Sequence, residues 1–190
     1  MRSGPPTLEE FLASRTQRDE FTVTGPTAPG VVTLADIASF RPSVGTDHME
    51  PNGWTVVGLE TNFYSDATRH EVDGTLLGSP ASVRFTPRAW HWTYGDGGAL
   101  ASARPGASWA ALRVAEFEPT ATSHVFRGAG TFTIDLSVEF TAEYRFAGSG
   151  WVPISGALAV PANPLVVTAG DAKTVLVGRD CAANPRGAGC

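Results

Sequence analysis

The stretch TFTIDLSVEFTAEYRF, residues 131–146, constrains this chain more than any other. Ile134, Leu136, Val138, Phe140, Ala142, Tyr144 and Phe146 hold one parity, and Asp135, Ser137, Glu139, Thr141, Glu143 and Arg145 hold the other. Successive side chains of a strand point to opposite faces, so this alternation predicts one long strand with a dry face and a wet face. At about 3.3 Å per residue it would run roughly 50 Å, far beyond a usual strand. A bulge, a bend or a strand shared between two sheets is therefore expected.

The same grammar of short apolar runs closed by Gly, Pro, Asp or Asn starts after Pro51, in WTVVGLETNFY, VDGTLLG, ASVRFT and AWHWTY. WVPISGALAVP and LVVTAGDAKTVLVG supply up to three more strands. With 21 glycines and 14 prolines in 190 residues, turns are favoured over long helices. The expected fold is all-β, an antiparallel sandwich over residues 51–178. Residues 1–50 read as an N-terminal arm and 179–190 as a tail. Within the arm, Thr7 and Glu10 form a capping box and Leu8, Phe11 and Leu12 recur at helical spacing, predicting a short helix over 7–18. Residues 21–30 read as a linker, and Leu34, Ile37 and Ala38 as a single helical turn before Pro42.

Charge and composition remove several classes of partner. A formal net charge of -5 without a basic stripe does not suit nucleic acid. No segment approaches the roughly 20 apolar residues of a membrane-spanning helix. The N-terminus shows no apolar run after Arg2, so either the protein stays inside the cell or the chain begins downstream of a leader. Cys181 and Cys190 close the tail CAANPRGAGC and read as a local disulfide, which points to an oxidising compartment; two reduced thiols are the alternative.

The octet WHWTYGDG, residues 90–97, sets three aromatics at alternate positions against a Gly-Asp-Gly turn. Trp92 and Tyr94 face the same side of their strand, where rings of about 150–250 Å² can fill the space between sheets. Gly95 and Gly97 permit positive φ, and Asp96 can cap the strand end. Together with HVFRGAGTFTIDLSV at 124–138, the octet resembles the polycystic kidney disease (PKD) family of domains, whose members read W-D-F-G-D-G and later H-x-Y-x-x-x-G-x-Y-x-V-x-L-x-V. Trp92, Gly95, Asp96, Gly97, His124, Gly130, Thr131, Leu136 and Val138 carry the match, over roughly residues 75–146. Thr93, Tyr94, Phe126 and Phe132 stand where the family has Asp, Phe and two tyrosines, and the loop 98–123 is longer than usual and contains Trp109. The resemblance implies an immunoglobulin-like, PKD-type sandwich in which His124 is a hydrogen-bonded structural residue. The whole arrangement is also similar to a group of exported actinobacterial proteins, a likeness that bears on class and compartment only.

No catalytic constellation stands out. The four histidines, His48, His70, His91 and His124, match no zinc spacing. HEVDG at 70–74 and GDG at 95–97 offer oxygens to Ca²⁺, yet nothing resembles an EF-hand loop and Asp-Gly is first a turn. Asp135, Glu139 and Glu143 share one face, but residues four apart on a strand lie about 13 Å from each other, too far for the paired carboxylates of glycoside hydrolysis. There is no G-x-S-x-G elbow and no Gly-rich phosphate loop before a helix. No cofactor or metal is expected. Trp109, Trp151 and Tyr64, with Phe63 beside it, are aromatics the strand alternation does not obviously require; they stack sugars or anchor a protein if exposed, and are ordinary packing if not.

The leading expectation is a non-catalytic module, exported to the cell envelope or beyond, for adhesion, spacing, or interaction with a protein or a cell-surface glycan. Two others stay open: an enzyme or accessory module acting on polysaccharide, marked by carboxylates within about 9 Å of each other in a groove, and a structural subunit of a surface assembly whose arm packs on a neighbour.

Overall fold

The computed structural model describes residues 31–172. The chain divides between Val32 and Thr33, and every element below belongs to the second unit. In chain order these are β1 (Asp47–Glu50), β2 (Trp54–Val56), β3 (Glu60–Ser65), β4 (His70–Leu76), β5 (Ser79–Thr93), β6 (Ala99–Ser102), the single-turn α1 (Trp109–Leu112), β7 (Ser123–Val125), β8 (Gly130–Phe146), β9 (Val152–Pro161) and β10 (Leu165–Gly170). One sheet is antiparallel with order β1-β3-β7. The other has order β2-β10-β8-β5-β4, with β6 added to β5 and β9 to β8, and curls into a half-barrel. It is mixed, because β2 runs parallel to β10. The described residues are thus all-β.

β8 follows its alternation: Ile134, Leu136, Val138, Phe140 and Ala142 are buried, while Thr131, Thr133 and Asp135 are exposed. The strand is both shared and irregular. β5 holds one edge from Asp135 to Phe146, and the other edge passes from β10 (Gly130–Ile134) to β9 (Ser137–Tyr144). Register shifts occur against β5 between Pro87 and Ala89 and against β9 between Phe140 and Ala142. Arg88 is the extra residue of the first shift, and it changes the parity of β5. Ala81, Val83 and Phe85 are buried before it, Trp90 and Trp92 after it. The bulge lets both halves of β5 turn their apolar side chains inward while Arg88 Nε pairs with Glu139 Oε1 at 2.9 Å outside.

The two sheets meet through aromatic rings. Phe63 of β3 lies 5.8 Å from Trp92 and 5.1 Å from Tyr94, centre to centre. Each such ring removes a large apolar area from water, worth about 1.5–3 kcal/mol by transfer.

The segment 33–40 is a run of tight turns with bonds Asp36 N–H to Thr33 O, Ala38 N–H to Ala35 O and Phe40 N–H to Ile37 O, where the sequence predicts one helical turn. Asp36 Oδ2 accepts from both the amide and the hydroxyl of Thr33, at 2.8 and 2.7 Å, and so closes the first turn. Ile37 and Phe40 are buried, and Ala38 is exposed. Phe40 lies over Gly74 of β4, where a Cβ would stand 2.7 Å from its ring, and Leu34 lies over Gly156 of β9. Residues assigned by sequence to an arm ending at 50 therefore include a core segment and the strand β1. The helix expected at 7–18, the linker 21–30, the tail 179–190 and the pair Cys181 and Cys190 lie outside the described residues.

Candidate functional site

Three places gather the residue types that carry chemistry. The first is the turn after β5. Tyr94 N–H donates to Gly98 O at 3.0 Å, which folds the chain back into β6. Gly95 and Gly97 take φ of 74° and 93°, and a Cβ on Gly95 would stand 2.7 Å from Thr133 O of β8. Asp96 Oδ1 accepts the Gly98 N–H at 2.8 Å, and Asp96 Oδ2 sits 2.7 Å from His124 Nε2. Tyr94 lies flat against the His124 ring at 4.0 Å, and Phe126 meets that ring edge-on at 4.8 Å. Gly98 must lack a side chain, because a Cβ would stand 2.6 Å from His124 Cε1. Gly130 opens β8 with the Phe132 ring against it.

Electrostatics follow from these contacts. Burial alone would push the Asp96 carboxyl up; the hydrogen bonds from His124 and the Gly98 N–H, with the charge of His124, outweigh it and hold the carboxyl below its ordinary value. Burial, aided by Asp96, pushes the Tyr94 phenol far up, so it stays neutral. Trp92 and Tyr94 are each 1% exposed. These contacts clasp β5 of one sheet to β7 of the other. A shallow cavity of about 480 Å³ beside them is lined by Asp96, His124, Arg127 and Phe132.

The second place is the wet face of the half-barrel. Arg84 donates from Nε and Nη2 to Glu143 Oε2, at 2.9 and 2.7 Å. Arg145 donates to Glu71 at 3.2 Å, and Glu139 is shared between Arg88 and His91. Both Arg84 and Arg145 stand over the Trp151 ring, at 4.2 and 4.4 Å from its centre. Trp151, a ligand candidate by sequence, is thus engaged by two guanidinium groups in a ladder of cross-strand ion pairs. Glu139 and Glu143 face cations there.

The third place lies beside β1 and β2. Asn62 of β3 is fully buried; its Nδ2 donates to Glu50 Oε2 (3.1 Å) and Ala107 O (2.9 Å), and its Oδ1 accepts from Thr120 Oγ1 (2.7 Å). Glu50 Oε2 also accepts the Trp109 N–H at 2.8 Å. These bonds fix the loop between β6 and β7 to β1 and β3. Ser108 caps α1 through the Ala111 N–H, and Arg113 ends it with φ of 60°.

Trp109 is not the exposed platform that its place in a long loop allowed. It is 5% exposed, its indole N–H donates to Glu118 O at 3.0 Å, and Phe117 packs on it at 5.6 Å. It forms instead one wall of an open groove of about 220 Å³, completed by Glu50, Pro51, Trp54 and Glu116. Trp54 is 52% exposed, with its ring centre 6.3 Å from Phe117. Tyr64, the third candidate, is half-buried and stacked on His48 at 4.9 Å; burial, and then the charge of Glu50, push its hydroxyl up.

Sequence reasoning missed Trp54, Glu50 and Glu116. In WTV the apolar residues Trp54 and Val56 would be expected inward and Thr55 outward. Instead Trp54 is exposed, Val56 half-buried and Thr55 buried, where it accepts a 2.6 Å hydrogen bond from the Thr61 hydroxyl. No local signal announces that partner.

Among the described residues, no group of three or more His, Cys, Asp or Glu is placed to hold a metal ion, and no helix is long and apolar enough to cross a membrane. No protein-family model, no curated protein and no solved structure matches the chain.

Proposed function

We propose that this chain is a non-catalytic recognition module of the cell envelope or extracellular space, a PKD-like β-sandwich that holds a saccharide chain in the groove beside β2. One observation carries the reading: Trp54 leaves half of its surface in water while lining a groove in which Glu50 and Trp109 are fixed by hydrogen bonds. A planar ring presents an apolar face to the C–H side of a sugar, and carboxylates accept its hydroxyls. The clasp at Asp96 and His124 supports the PKD-like assignment as a structural device. Glu139 and Glu143, paired with Arg88, His91 and Arg84, speak against hydrolysis on the wet face, and in the groove the Glu50 carboxylate is already held through Oε2 by the Asn62 amide and the Trp109 N–H, which supports the non-catalytic part.

The test is retention of the folded chain on immobilised cell-wall polysaccharide and on a glycan array, with Trp54→Ala beside it. Binding should fall at least tenfold in the variant while its melting temperature stays within a degree or two of the parent. Equal binding by both proteins would remove the groove from the account, and release of shortened oligosaccharides would make the chain an enzyme.

A further inference from the structure

We infer that the groove selects a cationic sugar, a hexosamine unit carrying a free amine, in preference to neutral or acidic sugars. The inference rests on the saccharide reading above and adds the sign of the ligand's charge. Two carboxylates, Glu50 and Glu116, and two indoles, Trp54 and Trp109, line the groove together with Pro51, and among the described residues no basic side chain does. Phe117 adds a third ring behind the indoles. Carboxylates and the negative faces of aromatic rings both attract an ammonium, and their effects reinforce one another.

Glu50 makes this preference specific in place. Its Oε2 is held by the Asn62 amide and the Trp109 N–H, so the carboxylate is oriented before any ligand arrives. No hydrogen bond from the described residues engages its other oxygen, Oε1, which leaves an acceptor for an incoming donor. Glu116 is exposed and makes no ion pair among the described residues. The wet face of the half-barrel is the contrast, since its glutamates there meet arginines. A uronic acid or a phosphorylated sugar brought into the groove would meet like charge on two sides. An N-acetylated unit would keep the stacking on Trp54 but lose the ion pair.

The experiment is calorimetric titration of the full chain with a β-linked glucosamine oligomer, its fully N-acetylated counterpart and an oligouronate of the same length, at low and at physiological salt. The amine form should bind about tenfold more tightly than the acetylated form, equivalent to 1.4 kcal/mol, and the oligouronate more weakly than either. Glu116→Gln, at an exposed position that the fold does not need, should weaken binding of the amine form several-fold more than binding of the acetylated oligomer, and so shrink the preference for the amine. Equal affinity for amine and acetylated forms, with both lost in Trp54→Ala, would overturn the charge inference while leaving the saccharide reading standing. Amine binding that survives both Trp54→Ala and Glu116→Gln would overturn it as well, because a chain of net charge -5 attracts polycations anywhere on its surface. No Trp54-dependent binding of any oligomer would remove the saccharide reading itself.

Discussion

At the turn after β5 an aspartate, a histidine and a tyrosine engage one another, whereas beside β2 Trp54 and Glu116 face water and Glu50 is bound through one oxygen. Both regions set carboxylates beside aromatic rings, and partners decide what they do. Asp96 has both oxygens occupied, and Tyr94 is covered by His124 and Phe63. Glu50 has one oxygen bonded twice, and Trp54 is half exposed. A carboxylate and an imidazole that already hold each other stabilise the fold, even beside a Tyr94 hydroxyl that has no hydrogen-bond partner; a site that is positioned yet incomplete can still take up a ligand.

The largest test of that contrast is a pair of indole deletions. Trp92→Ala should cost about 3–5 kcal/mol, because the ring is buried against Phe63 and its removal leaves a cavity. The same change at Trp54 should cost about 0.5 kcal/mol or less in a denaturant melt. Similar losses at both sites would erase the distinction between a core tryptophan and a groove tryptophan.

A middle-sized effect belongs to the clasp. Asp96→Asn keeps the shape of the turn but weakens the bond to His124, and should cost about 1 kcal/mol at neutral pH. The Asp96 carboxyl is held below its ordinary value of 3.8 in the fold, so its stabilisation is present above that pH and is lost as the pH falls through the lower folded value. The gap between parent and variant should therefore close in acid melts below about pH 4. A gap that persists unchanged there would mean the bond to His124 does not depend on the carboxylate.

Asp47 gives the smallest effect and the opposite sign. It sits at the start of β1, 7% exposed, with Oδ2 lacking any hydrogen-bond partner. Burial, aided by Asp66, raises its carboxyl, while its own backbone N–H and His48 offset this only in part. A raised acid destabilises the fold when ionised, above its ordinary 3.8, and the cost is relieved as the pH falls. Asp47→Asn should raise the melting temperature slightly at pH 7 and give no gain near pH 4. A lower melting temperature at pH 7 would show that the charge is serving the fold.

How much of this could be read from the chain varies by region. The dry and wet faces of β8 were legible because alternation is a local property, repeated many times in one strand. The turn at Gly95, Asp96 and Gly97 was legible because its conformations demand those residue types. The bulge at Arg88 was not, since nothing in RFTPRAWHW reports which cross-strand partner is skipped. Nor was the parallel docking of β2 on β10, which joins opposite ends of the unit. Trp109 and Trp151 show the same boundary: both were unassigned by alternation, and partners elsewhere on the fold, Glu50 for one and Arg84 for the other, help to settle their surroundings.

β8 also bears on how the chain reaches this structure. It is bonded to β5, β9 and β10, so three separate parts of the sequence must find one strand. Only β9 is its neighbour along the chain; with β5 it pairs residues as far apart as Ala81 and Phe146. Loop closure must precede the reward of those contacts, so refolding is expected to be slower than that of chains built from local contacts, as a stopped-flow measurement would read. Until β5 arrives, the apolar edge from Ile134 to Ala142 stands open to any other strand, and the speed of that one docking step sets how long the chain is exposed to misassembly.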